Sequence, residues 1–339
     1  MDGPQDPIQR EAGGSRDLYE VVDWNPRTRV DALAVGVYNV GLATLRGIII
    51  LIAFVVLLIQ FVLGGLGVIV NPVIGGLILL SVIPAVGIVV YIWYIDVTTR
   101  EPLGLLVGTF LLAVLFAGFA SIINSVGIVP FLLFAGALEA YTPLAEGAAI
   151  FIGMGLFFFV IVGPVEETVK LLAVRLHAYR TDRFDAVING TVYGAAAGLG
   201  FATIENAVFI AQGLAIDASG VSPFGPVGDI AASRALAGPG HVLFSAIAGF
   251  YLGLAKFNPD YAGPLVVKGL LIAAFLHALY NTLVGPVPHA IAASVGPIGQ
   301  FDAIFAFIVV YLTAVGYFLY RKIERYRRTY VDVGLQQTQ

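Results

Sequence analysis

The chain has 339 residues, of which 59% are hydrophobic and only 12% are charged. A soluble domain carries about 25% charged residues, so this composition excludes a surface that faces water throughout and favours one that faces lipid. The absence of cysteine excludes disulfides and thiolate metal sites, and the net charge of −4 gives no reason to expect a nucleic-acid partner. The expected fold is an all-α, polytopic helix bundle in the cell membrane.

Eight apolar segments are long enough to cross the hydrocarbon core of a bilayer, which takes about 20 residues. They cover 47–70, 73–95, 103–125, 148–174, 186–212, 234–256, 264–284 and 300–320. The region 126–147 is ambiguous, because two prolines and two glutamates interrupt its apolar stretch, and a loop or re-entrant piece is expected there. The chain is thereby divided into a polar N-terminal tail at 1–46, a transmembrane domain at 47–321 and a basic, polar C-terminal tail at 322–339.

Lysine and arginine are distributed very unevenly between the two alternate sets of connections. One set contains only Arg234, whereas the other contains Arg27, Arg29, Arg46, Arg100, Arg175, Arg180, Arg183, Lys256, Arg321, Lys322, Arg325, Arg327 and Arg328. Because cytoplasmic loops carry the excess of positive charge, the second set is predicted to lie inside. Eight helices then place both termini in the cytoplasm.

Segment 148–174 contains two adjacent glutamates followed by a lysine. Ionisable groups inside an apolar segment are costly, so they are expected to face a partner or a wet cavity. Glu166 and Glu167 point about 100° apart on a helix, and either can pair with Lys170, at i+4 or i+3. One glutamate held by the lysine and one left free would provide a general base. The alternative is that residues 148–165 already span the membrane and that both glutamates only mark the cytoplasmic end of this span.

Segment 186–212 places Glu205 and Asn206 well inside an apolar run. A position at the membrane surface does not explain this glutamate, and a structural hydrogen bond to another helix is the alternative to a role in a site. By this count Glu166 lies nearer the inside and Glu205 nearer the outside of the membrane. The two can converge only if one helix is shifted in depth or one boundary is misplaced.

Two further segments carry histidine. Segment 234–256 has a Gly-Pro-Gly sequence directly before His241, which should kink or interrupt the helix; His241 is then either a ligand or an interface residue. In segment 264–284, His277 and Asn281 lie one turn apart on the same face, where together they could hold a water or a metal ion.

These polar groups lie on four consecutive helices, and Asp302 lies close to one end of the last apolar segment. A bundle that turned them inward would enclose a wet, polar cavity. Such a cavity suits hydrolysis, in which a carboxylate activates water while histidine, asparagine or a metal ion supports the oxyanion.

The order of these residues resembles the PrsW family of intramembrane proteases, which belongs with the CAAX-prenyl-type membrane proteases. The family pattern is EExxK, then FxxxEN, then a histidine before a glycine-rich helix, then HxxxD or HxxxN. Here these motifs are Glu166 to Lys170, Phe201 to Asn206, His241, and His277 to Asn281. The resemblance covers roughly residues 77–285, and Asn281 stands where some relatives have Asp.

The resemblance implies an intramembrane endopeptidase with Glu166 as the general base and Glu167 supporting it through Lys170. The remaining residues of the motifs would bind a metal ion or hold the water and the oxyanion: Glu205, Asn206, His241, His277 and Asn281. Glu205, His241 and His277 are the expected ligands if one divalent ion, zinc before any other, is bound. A metal-free mechanism that depends on glutamate is the alternative.

Two other functions use the same residues. A transporter could employ them as an ion relay, but the internal repeats often found in transporters are not visible in this sequence. A non-catalytic scaffold of the same fold would not need the complete set of polar residues. A protease is therefore favoured, and its expected substrates are membrane proteins in the lipid bilayer, such as single-span regulators of the anti-sigma-factor type.

Overall fold

The computed structural model describes residues 26–60, 72–98, 100–144, 147–216, 226–296 and 298–332. Within these ranges the secondary structure is helical and includes no β-strand, which confirms the all-α class. The helices are α1 (Arg29–Gln60), α2 (Pro72–Tyr94), α3 (Leu103–Gly127), α4 (Val129–Tyr141), α5 (Ala148–Phe157), α6 (Gly163–Leu176), α7 (Val187–Ile216), α8 (Pro226–Lys256), α9 (Ala262–Leu283), α10 (Pro286–Ser294) and α11 (Gln300–Asp332).

Seven helical stretches in these ranges are long and apolar enough to cross a membrane. They coincide with the second to eighth apolar segments of the sequence, which confirms a polytopic membrane protein. The first segment, 47–70, lies only partly within the described residues, so a total of eight spans and two cytoplasmic termini remain predictions. The region expected to be a loop or a re-entrant piece contains α4, which follows α3 after Ile128.

The chain forms two compact units, one ending at Val55 and the other running from Val56 to the C-terminus. The first unit contains most of α1, which starts at Arg29, well before the predicted segment. A local capping arrangement explains this start. The Asp31 carboxylate accepts hydrogen bonds from the backbone N–H groups of Arg27 (3.0 Å) and Thr28 (2.7 Å), and the Thr28 hydroxyl accepts one from the N–H of Asp31 (3.1 Å).

The second unit is organised around the close contact of α7 and α8. A Cβ added at Gly198 would lie 2.4 Å from the backbone oxygen of His241, and one at Gly249 would lie 2.0 Å from that of Gly190. Only glycine permits such an approach, which is a common device of helix packing in membranes. The contact fixes the depth of His241 relative to the residues of α7.

Two prolines have opposite effects on their helices. Pro164 follows a π-helical turn, Phe158–Val162, which joins α5 to α6 and accommodates the missing N–H of the proline. Pro239, by contrast, lies inside α8, which is helical throughout from Pro226 to Lys256. Of the two predicted outcomes before His241, a kink or an interruption, the interruption does not occur; neighbouring helices in a membrane bundle can satisfy the backbone group that a proline frees.

Candidate active site

A cavity of about 320 Å³ lies among α3, α6, α7, α8 and α9. Its polar lining comes from residues on all five helices: Asn124, Glu166, Glu205, Arg234, His241, His277 and Asn281. Its walls are largely aromatic, with Phe157, Phe158, Phe209, Phe244 and Tyr280. The four consecutive helices expected to enclose a polar cavity do so, and α3 adds a fifth side.

The two carboxylate oxygens of Glu166 differ in their hydrogen bonding. Its Oε1 accepts a hydrogen bond of 3.0 Å from the Asn124 side chain. Its Oε2 is buried and has no hydrogen-bond partner among the residues that the structure describes. That oxygen faces His277 Nε2 at 3.7 Å, His241 Nδ1 at 4.0 Å and the Lys170 ammonium at 3.6 Å. Glu166 therefore presents an oriented, desolvated carboxylate oxygen to the two imidazoles.

Glu167, one residue further on, is fully engaged and has no exposed surface. Its Oε1 lies 2.7 Å from the Lys170 ammonium and 2.9 Å from His277 Nδ1, and its Oε2 accepts a hydrogen bond of 3.2 Å from Ser245. Of the two glutamates, Glu167 is thus the one that the lysine holds. With Nδ1 donating to Glu167, His277 presents the lone pair of Nε2 to the cavity.

Lys170 is completely buried and forms the centre of a small polar network. Besides the ion pair with Glu167, its ammonium lies 3.0 Å from His241 Nδ1 and 4.2 Å from the centre of the Phe201 ring. The aromatic face attracts the cation. This contact gives a physical reason for the phenylalanine that opens the FxxxEN motif.

Glu205 lies behind His241, and Arg234 neutralises it. Its Oε2 is 2.7 Å from His241 Nε2 and also accepts a hydrogen bond from the Arg234 guanidinium. Arg234 donates a second hydrogen bond, of 2.9 Å, to the side-chain oxygen of Asn206. Asn206 in turn donates to the Ser81 hydroxyl (3.1 Å) and lies outside the cavity lining, so it joins α2, α7 and α8.

Helix α6 does not end at its two glutamates, both of which are buried. α6 continues to Leu176, about 15 Å beyond Glu166 at 1.5 Å per residue. Glu166 and Glu205 face the two different nitrogens of the same imidazole, that of His241. The apparent conflict in depth therefore disappears, because both glutamates reach the same histidine ring.

Asn124 and Arg234 are functional candidates that the sequence analysis missed. Asn124 is a lone amide near the end of an apolar segment, and Arg234 was assigned to an outer connection. One signal was available for the arginine, since it lies seven residues before His241 and therefore on the same face of α8.

Glu166, His241 and His277 each offer one ligand atom, and these atoms lie within 4.8 Å of one another, a group that could hold a metal ion. The structure thus places Glu166 with the two histidines, whereas the sequence analysis expected Glu205. The imidazoles explain the difference. On each ring, the nitrogen that faces away from Glu166 contacts another carboxylate, that of Glu167 for His277 and that of Glu205 for His241. Such contacts commonly orient metal-binding histidines.

Comparison with known proteins identifies the family of this chain. The sequence model described as "PrsW family intramembrane metalloprotease" matches residues 101–315. The protease PrsW of Geobacillus kaustophilus (strain HTA426) is 32% identical over 208 residues, which are 61% of this chain and 79% of that protein.

Two further relatives carry the same name. The protease PrsW of Bacillus subtilis (strain 168) is 33% identical over 133 residues, 38% of this chain and 56% of that protein. That of Halalkalibacterium halodurans is 28% identical over 204 residues, 60% of this chain and 80% of that protein. No solved structure gives a significant match. The chain belongs to the PrsW family of intramembrane metalloproteases and is a multi-pass peptidase of the cell membrane.

Proposed function

We propose that this peptidase is an endopeptidase that hydrolyses peptide bonds of membrane-associated proteins with a water molecule activated at Glu166. The free, buried Oε2 of Glu166 carries this proposal. A carboxylate oxygen that is desolvated, oriented by Asn124 and directed into this cavity is suited to remove a proton from water.

The other residues of the cavity have roles that follow from their contacts. Glu166 takes the proton as the water oxygen attacks the scissile carbonyl carbon, and it later returns the proton to the leaving amine. Asn281 lines the same cavity and offers an N–H donor for the oxyanion. Glu167 and Glu205 each fix the orientation of one imidazole.

As the alternative to the metal-free base, we propose that His241, His277 and Glu166 hold one divalent ion; Glu166 Oε2 would then serve as a ligand and not as the base. Two imidazoles and a carboxylate are a known catalytic ligand set for zinc, and the free Glu166 oxygen facing both rings fits that set. When bound, such an ion would lower the pKa of a coordinated water and polarise the carbonyl group. Glu205 is better placed to orient His241 than to act as a ligand, since Arg234 already neutralises it.

The proposed substrates are single-span membrane proteins, of which regulators of the anti-sigma-factor type are one kind. The position of the cavity supports this class. The residues that line it come from helices long and apolar enough to cross a membrane, so a scissile bond must reach a site among those helices.

The test compares cleavage by membranes containing the purified wild-type protein, the Glu166→Gln variant and a matched Glu139→Gln control. Glu139 is exposed on α4, away from the cavity. The substrates are a pool of single-span proteins, and new termini are read by terminal-peptide mass spectrometry. We expect new termini with the wild type and the control, and their loss in Glu166→Gln.

A zinc chelator separates the two mechanisms. Loss of the new termini on chelation, with recovery on adding zinc, would support the ion; cleavage that persists through chelation would instead favour the metal-free route. Termini that are identical in wild type and Glu166→Gln would contradict the role of Glu166 and strengthen the transport and scaffold alternatives.

A further inference from the structure

A second cavity, of about 1090 Å³, lies between α8, α9 and the C-terminal part of α11, away from the candidate active site. Its lining is rich in basic residues, namely Lys268, Arg321, Lys322, Arg325 and Arg328, and includes the acidic residue Glu324. Glu324 is already paired with Arg328 at 2.8 Å and with Arg327 at 3.4 Å. Among the carboxylates that the structure describes, none forms an ion pair with Lys268, Arg321, Lys322 or Arg325.

The cations of this cavity also converge. The ammonium groups of Lys268 and Lys322, which come from different helices, lie 5.6 and 4.9 Å from the centre of the same ring, that of Tyr251. Lys322 also lies 4.9 Å from the centre of the Phe318 ring. Two like charges close to one ring repel each other, and an anion bound beside them would relieve that repulsion.

An apolar groove along the seam of α9 and α11 adjoins the basic cavity. This groove has a volume of about 800 Å³, and Phe318 lines both spaces. On α9, Lys268 is followed at helical spacing by Leu271 and Phe275, which line the groove. A charged end and an apolar channel of this kind match an amphipathic ligand.

We propose that this seam binds one anionic phospholipid, with its phosphate among Lys268, Lys322 and Arg325 and an acyl chain in the groove between α9 and α11. The loop charges predict that this end of α11 faces the cytoplasm, where anionic lipids attract basic side chains. Free phosphate would use only the basic cavity, and an acidic peptide would leave the groove unfilled.

The test measures lipid binding by native mass spectrometry of the detergent-solubilised full chain, with dioleoyl phosphatidylglycerol and dioleoyl phosphatidylcholine as probes. We expect retention of phosphatidylglycerol over phosphatidylcholine. The Lys268→Gln/Lys322→Gln variant should bind phosphatidylglycerol roughly thirtyfold more weakly, since each cation contributes about 1 kcal/mol. A matched Arg100→Gln/Arg180→Gln variant removes two exposed cations outside the cavity and should bind as the wild type does.

A third variant tests the groove. Ala314 is exposed and lines it, so Ala314→Trp should fill the channel and weaken phosphatidylglycerol binding without opening the core. Thermal melting in detergent checks that each variant is folded. The proposal would be overturned if both charge variants lost the same affinity for phosphatidylglycerol, or if the wild type bound the two lipids equally well. It would also be overturned if glycerophosphate or an acidic peptide bound tightly and Ala314→Trp left that binding unchanged.

Discussion

At the scale of single residues, Glu166 and Glu167 show how neighbours in sequence can receive opposite surroundings. Glu167 has three partners within 3.2 Å, on three helices, whereas Glu166 has the Asn124 amide alone as a hydrogen-bond partner among the described residues. The difference follows from the angle of about 100° between successive helical residues. One side chain points into a polar network and the other into the cavity.

Asn124→Ala should lower kcat for cleavage by about ten- to a hundredfold. A hydrogen bond to a charged group contributes about 1.5–3 kcal/mol, and without it the Glu166 carboxylate loses its fixed orientation. KM should change little, because Asn124 acts on the carboxylate. The matched control is Ser125→Ala, an exposed neighbour whose hydroxyl bonds only to the Ser121 carbonyl. A Ser125→Ala loss as large as that of Asn124→Ala would contradict this role.

Lys170→Met should destabilise the fold strongly. Removing one partner of a buried ion pair costs about 3–5 kcal/mol, because the other charge stays buried without compensation. The double variant Glu167→Gln/Lys170→Met should recover much of the lost melting temperature but none of the activity. Melting temperatures of the three proteins in detergent check this, and a double variant no more stable than Lys170→Met would refute it.

At the scale of helices, the glycine contact between α7 and α8 sets the geometry of the site. α7 carries Glu205 and α8 carries Arg234 and His241, so the distances among these side chains depend on how closely the two backbones approach. The π-helical turn before α6 has a comparable effect, since it sets the angle at which the two adjacent glutamates enter the bundle.

Gly198→Ala should destabilise the protein and disturb the site, because its Cβ would lie 2.4 Å from the backbone oxygen of His241 and would push the helices apart. Gly87→Ala is the control: a Cβ there meets nothing within 4 Å, and alanine should stabilise α2 by about 0.5–1 kcal/mol. Melting temperature and cleavage rate test both. A Gly198→Ala protein as active and stable as wild type would contradict the contact.

At the scale of the whole molecule, the connection between α2 and α3 ties distant helices together through Glu101. This residue is 2% exposed. Its carboxylate accepts a hydrogen bond from the Tyr193 hydroxyl on α7, and its backbone oxygen accepts one of 3.2 Å from Trp93 on α2. Burial, with a smaller contribution from the nearby Asp96, outweighs the Tyr193 hydrogen bond and raises the pKa of Glu101 from its ordinary value of 4.5 to about 7.

This shift predicts a pH-dependent stability. Glu101 binds its proton more tightly in the folded protein than in the unfolded chain. Protonation of Glu101 therefore stabilises the fold fully below about pH 4.5, and this contribution is lost as the pH rises through 7. Glu101→Gln, which mimics the protonated acid, should melt at a higher temperature than wild type at pH 8 and equally at pH 4.5. A constant difference between the two proteins across this range would contradict the assignment.

The sequence predicted seven spans that the structure confirms and singled out several of the polar residues that line the cavity, because apolar length and isolated charges in an apolar segment are local properties of a chain. It could not decide which glutamate Lys170 holds, since spacings of three and four residues both allow pairing. That choice depends on Ser245 and His277, which other helices contribute. Which of Glu166 and Glu205 joins the histidines as a candidate metal ligand likewise depends on Arg234, because this arginine pairs with Glu205 on another helix.

The burial of α7 and α8 has a consequence for biogenesis. Of the seven spans they are the least hydrophobic and the most deeply buried, and they carry Glu205, Arg234 and His241. During synthesis α7 emerges before the helices that follow it can cover its polar face, so it enters the bilayer with a costly glutamate uncompensated. The partner of that charge arrives only with α8. We expect these two helices to be inserted as a pair, and nascent chains that end after α7 to be recognised by membrane quality control.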